Sequence, residues 1–98
     1  MKKLSLRPLA TADVDSAVLW YEREQPGLGA LFVLELDALF DRIRETPQQF
    51  PVIEEPIRRA LLPRFPYSVY FRSSADEALV LAVLHVSRDP RIWNKRAN

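Results

Sequence analysis

His85 is the only histidine of this 98-residue sequence, and histidine is the side-chain type that exchanges protons near neutral pH without special surroundings. It stands three residues before Arg88, while Arg64 lies between two prolines in Pro63-Arg64-Phe65-Pro66, with Arg58 and Arg59 just upstream. Cleavage of a phosphodiester by its neighbouring ribose hydroxyl needs a proton acceptor, a proton donor for the leaving oxygen, and cations around the charge that develops at phosphorus. Arg59, Arg64, His85 and Arg88 would supply most of that set. The competing reading is plainer: a histidine hydrogen-bonded at a sheet edge and an arginine exposed on a turn. Arg58 and Arg59 are adjacent in a strand-like run, so they point to opposite faces and only one can meet a ligand on a given side.

The charge distribution asks what such residues would meet. Residues 1–55 carry six Lys/Arg against ten Asp/Glu, a net of −4, and residues 56–98 carry eight against three, a net of +5. The overall net charge of +1 hides this asymmetry. A small domain with one basic wall suits an acidic partner, either a nucleic acid or an acidic protein segment. Charged strand edges that deter aggregation are the alternative.

Composition bounds the rest. With 48% hydrophobic and 28% charged residues, the chain reads as one globular domain over 1–98. It has no cysteine, which excludes disulfides and thiolate chemistry. A single histidine argues against a protein-only zinc site, and no cofactor is expected. The basic N-terminus lacks a following apolar stretch, and the longest apolar run, Ala78 to Leu84, is too short to span a bilayer. A soluble, cytoplasmic protein is expected.

Elements that would position these residues follow from periodicity. Leu4-Ser5-Leu6 predicts a short strand stopped by Pro8, with Thr11 as the N-cap of a first helix, Asp13 and Asp15 in its first turn where negative charge suits the helix dipole, and a stripe of Ala10, Val14, Ala17, Val18 and Tyr21. Trp20 and Tyr21 would be core and rim, or a binding surface. After Pro26-Gly27 a second helix carries Leu28, Leu31, Phe32, Leu36, Leu39, Phe40 and Ile43, ending at Pro47. Gly27 and Gly29, the only glycines, fit the interhelical turn. Pro47 to Pro56 reads as a loop, with Phe50 and Ile53 packed beneath it. Three antiparallel strands follow at Ile57–Leu62, Tyr67–Arg72 and Ala78–Leu84, the last in the central position, before an exit turn at Asp89-Pro90. The expected fold is α+β: an N-terminal strand, an αα-hairpin, then a three-stranded antiparallel sheet packed under the helices.

Several segments, in order, resemble the RelE/ParE superfamily of toxins from type II toxin–antitoxin modules. They are Trp20-Tyr21-Glu22, Pro26-Gly27-Leu28-Gly29, Phe32, Thr46-Pro47 with Phe50-Pro51, Ile57-Arg58-Arg59, Arg64 to Tyr70, and Val83 to Pro90 with Trp93. The resemblance spans essentially the whole chain. It implies a toxin held inactive in a hetero-oligomer by a cognate antitoxin, and it leaves two targets open. In the ParE-like branch the target is DNA gyrase; in the RelE-like branch the toxin cuts mRNA in the ribosome. The resemblance also implies that Arg64 occupies the place of a phosphate-contacting arginine in the ribonuclease branch. That branch usually adds a C-terminal tyrosine or second acid/base group and several lysines, whereas here Trp93 and only Lys2, Lys3 and Lys95 are present. An indole donates a hydrogen bond but does not exchange a proton usefully. The ParE-like branch is therefore favoured, as a non-enzymatic toxin. Its expected target-binding residues are Arg58, Arg59, Arg88, Arg91, Trp93 and Arg96; Trp93 would either stack on a base or cover the helix pair. The ribonuclease alternative would use Arg64, His85 and Arg88, and a non-toxic relative that keeps only antitoxin binding is a third reading.

Overall fold

Pro8 both ends the first strand and opens the first helix. In the computed structural model, which describes residues 2–97, β1 spans Lys3–Leu6 and α1 spans Pro8–Glu24. Proline suits the first helical position, because its missing N–H would have no partner there and its φ is already helical. Thr11 is therefore not the N-cap: its N–H donates to the Arg7 carbonyl at 3.0 Å, inside the helix. Asp13 and Asp15 consequently fall beyond the first turn, which has no acidic residue.

The interhelical turn uses both glycines. Gly27 has φ +91°, and a Cβ on Gly29 would lie 2.9 Å from the Val18 carbonyl of α1. The Glu22 carboxylate accepts hydrogen bonds from the N–H groups of Gly27 and Gly29 at 2.9 and 3.0 Å, placing a negative charge at the N-terminus of α2, Leu28–Glu45. Phe32, Leu36, Leu39, Phe40 and Ile43 are buried, whereas Leu31 is 36% exposed and leaves the expected stripe.

The sheet has five strands in the order β1-β5-β4-β3-β2, not a separate strand followed by three. The additional strand, β2 (Val52–Glu54), lies within the expected loop and pairs with β3 (Ile57–Leu61) at the sheet edge. β4 (Tyr67–Ser73) takes the middle place, and β5 (Glu77–His85) is interior between β4 and β1. β1 runs parallel to β5 and the other pairs are antiparallel. The five strands of the α+β fold thus include the N-terminal one, which the sequence separates from its neighbour by the whole helical hairpin.

One irregularity sets which side chains face the helices. Tyr70 pairs with Ala82 but Phe71 pairs with Val80, which leaves Leu81 as a bulge. Ala78, Val80 and Val83 pack with Phe32, Val69 and Phe71 under α1 and α2, whereas Leu81, Ala82 and Leu84 pack with Ile57, Tyr70 and Trp93 on the other face. Were the same residues to alternate strictly, with no bulge at Leu81, His85 would turn away from α1. The second face is closed by a six-residue helix, α3 (Arg91–Arg96), so the exit turn leads back onto the sheet. No helix among the described residues is long and apolar enough to cross a membrane.

Candidate functional site

His85 ends β5, and the turn after it folds back on the imidazole. The Ser87 N–H donates to His85 Nδ1 at 3.0 Å, so in the neutral ring the proton sits on Nε2. The Arg88 N–H donates to the His85 carbonyl at 2.9 Å, bringing Arg88 back toward the sheet. The imidazole meets the Tyr67 ring edge-on, with centroids 5.4 Å apart. Between this turn and α1 lies a cavity of about 240 Å³ lined by Asp13, Ser16, Trp20, Tyr67, His85 and Arg88, among others. Burial pushes the Tyr67 phenol above its ordinary range, and the Arg88 guanidinium offsets part of that.

The other expected site residues are dispersed. Arg64 is not in this cavity. Its guanidinium pairs with Glu35 of α2 at 3.1 Å, and its backbone N–H donates to the same carboxylate at 3.2 Å. Of the three residues proposed for RNA cleavage, the structure therefore brings together His85 and Arg88 and leaves Arg64 apart. Arg58 and Arg59 do diverge. Arg58 donates to the Phe50 carbonyl at 2.6 Å, whereas Arg59 is exposed, opposite Tyr70 in the β3–β4 ladder.

The C-terminal residues are mostly engaged within the chain. Arg91 forms a fork on Asp89 with contacts of 2.6 to 3.1 Å, and this pairing lowers the Asp89 carboxyl to about 2. Trp93 is buried and stacks on Tyr70 at 5.5 Å, so it covers the sheet face remote from the helix pair, not the helices themselves. Arg96 reaches across to α1, where its guanidinium meets both oxygens of Asp13, one at 3.2 Å, and lies 3.4 Å from the Leu81 carbonyl. Arg59 and Arg88, by contrast, are exposed and make no side-chain ion pair or hydrogen bond among the described residues.

Two contributors were not legible as site residues. Asp13 read as a helix-dipole partner of α1, but it bonds the Val83 N–H at 3.0 Å and Arg96, residues far along the sequence. Tyr67 read as a strand residue, and only the bulged register of β5 sets it against His85. The described residues contain no group of three or more His, Cys, Asp or Glu placed to hold a metal ion.

The order strand, helical hairpin, sheet sets the class of fold, and the sequence match sets the family. The chain belongs to the ParE toxin family: residues 4–90 match the family described as the ParE toxin of type II toxin–antitoxin system, parDE. A chain in the solved structure of a chromosomal ParDE TA system from P. aeruginosa has the same fold, with a TM-score of 0.75 and 22% identity over 87% of this chain and 96% of that one. No curated protein is significantly similar in sequence.

Proposed function

We propose that this ParE-family chain is a cytoplasmic toxin that inhibits DNA gyrase and is neutralised in a hetero-oligomer by a cognate antitoxin. The observation that carries the choice of target is the engagement of Arg64 by Glu35, outside the cavity that holds His85 and Arg88. A ribonuclease needs its cations and proton-transfer groups to converge on one phosphate. A binding toxin needs only an accessible basic surface. Arg59, Arg88 and Lys95 are the exposed cations that provide one, and Arg91 adds to it even while paired with Asp89. In this reading Arg58, Trp93 and Arg96 hold the contact surface in shape.

A second reading keeps ribosome-dependent mRNA cleavage, because His85 and Arg88 share their cavity with Tyr67. Induction of the chain alone, with thymidine and amino-acid incorporation followed side by side, separates the two. Early loss of thymidine incorporation with translation spared is the expected result. Immediate collapse of amino-acid incorporation would replace gyrase by the ribosome as the target. Arg64→Ala and His85→Ala are expected to remain toxic, and deletion of residues 89–98 to be much less so.

A further inference from the structure

A second cavity opens where β1 ends. The Arg7 N–H closes the β1–β5 ladder on the Val80 carbonyl at 3.0 Å, and Pro8 then turns the backbone into α1. α3 meets this junction from the C-terminal side. It is tied there by the Arg96–Asp13 pair and by a 3.3 Å hydrogen bond that the Arg7 guanidinium donates to the Arg96 carbonyl. The space left between them measures about 440 Å³, within the range of roughly 300–1,000 Å³ that small-molecule sites occupy.

Its lining is of two kinds. Pro8, Leu9 and the bulged Leu81 of β5 give apolar walls, whereas Arg7, Lys95 and Arg96 bring three cations, and none of the lining residues is acidic. Arg96 spends its charge on Asp13. The Arg7 guanidinium meets only a neutral carbonyl, and the Lys95 ammonium has no hydrogen bond or ion pair among the described residues. Asp89 is close enough to feel Lys95, but Arg91 already holds it.

Two positive charges therefore border an apolar cavity without a counter-ion among the described residues. Like charges beside a wall of low dielectric repel each other more strongly than they would in open water. An anion relieves that repulsion. An anion that carries its own apolar body also removes the exposed Leu9 side chain from water, so the two gains come from one molecule.

We infer that this cavity binds a small amphiphilic anion, its carboxylate or phosphate head between Arg7 and Lys95 and its hydrocarbon body along Leu9 and Leu81. The inference does not depend on which target the toxin has. Arg7 belongs to the β1–α1 junction and Lys95 to α3, so a head group placed between them bridges the two. It adds a tie beside the Arg96–Asp13 pair, and occupancy holds α3 on the sheet.

The test titrates the full chain with octanoate and with octyl phosphate, followed by amide chemical shifts, with acetate and 1-octanol as the head and the body alone. Shifts are expected at Leu9, Leu81, Lys95 and Arg96, with acetate and 1-octanol each binding at least about tenfold more weakly than octanoate. Arg7→Gln and Lys95→Gln should each weaken octanoate about tenfold, the loss of one charge-assisted hydrogen bond, while Arg23→Gln at the far end of α1 should not. Leu9→Glu puts a carboxylate into the cavity and should abolish binding. Leu9 is 58% exposed and lies in the first turn of α1, where negative charge suits the helix dipole, so this variant keeps its fold. Occupancy should also slow amide exchange in α3. If 1-octanol binds as tightly as octanoate, the cations play no part and the inference is overturned. Shifts confined to the His85 cavity, or none with either anion at millimolar concentration, overturn it too, as does full binding by Leu9→Glu. Binding that leaves exchange in α3 unchanged would overturn the bridge from Arg7 to Lys95.

Discussion

The two faces of the sheet are closed by very different means. Under α1 and α2, Phe32, Phe71, Val69 and Val80 have no exposed surface, and Phe32 lies within an aromatic group with Tyr21, Phe65 and Tyr67 at centroid distances of 4.8 to 6.0 Å. The other face is covered by the six residues of α3, with Trp93 buried on Tyr70 and Ile92 packed beside it, and is pinned to α1 by the Arg96–Asp13 ion pair. Two long helices cannot leave without unfolding the chain. A six-residue helix is too short to be stable by itself and stays only while its contacts hold it. The first face therefore carries the stability of the fold, and the second carries an attachment beside the residues proposed for function.

Substitutions that differ in which face they touch should separate the two. Phe71→Ala in the helix-covered core should cost about 3–5 kcal/mol and lower the urea midpoint of the whole chain in a single transition. An equal loss for Trp93→Ala in the same cooperative transition would erase the distinction. The expected outcome is a smaller loss, with new binding of a hydrophobic dye, because α3 can detach while the rest stays folded. Asp13→Ala joins the faces, since it leaves a largely buried Arg96 unpaired and the Val83 N–H without its acceptor. It should cost about 2–3 kcal/mol and raise amide exchange in both α3 and β5.

Gly29→Ala sharpens the picture of the helical hairpin. Alanine favours a helix by about 1 kcal/mol, but its Cβ would meet the Val18 carbonyl at 2.9 Å, so a net destabilisation of about 1 kcal/mol is expected in thermal melts. The smallest effect concerns the exit turn. Hydrogen bonding to Arg91 lowers the Asp89 carboxyl from 3.8 to about 2, so the folded value lies below the unfolded one. The contribution of this pair is then complete above pH 3.8 and is lost as pH falls toward 2. A carboxyl NMR titration of Asp89 with a midpoint near that of a free aspartate would show that the pair does not form in solution.

Much of the architecture could be read from periodicity because its causes are local. Phe32, Leu36, Leu39 and Ile43 recur at helical spacing, Pro26-Gly27 breaks the helix, and Tyr67 to Arg72 has the composition of a strand. β2 was hidden because Val52 to Glu54 lies among prolines and becomes a strand only by pairing with β3. The start of α1 was misplaced because Thr11 offers a capping hydroxyl while Pro8, read as a stop, is also a favoured first helical residue. His85 and Arg88 were legible as site residues by type, being close in sequence and set by one turn. Arg64 was legible by type but not by partner, since Glu35 claims it from another element.

The sequence by itself determined the hairpin, the strand-forming segments, the basic C-terminal part and the family, because each depends on residue types at short spacing or on their order along the chain. Only the tertiary structure decided which arginines are free, which face Trp93 covers and which groups share the cavity with His85. Those outcomes depend on the Leu81 bulge and on Asp13 meeting Arg96 and Val83, contacts between residues 70 to 83 positions apart. Local pattern carries no record of such a contact, because the chain must first close its sheet before those groups come within bonding distance.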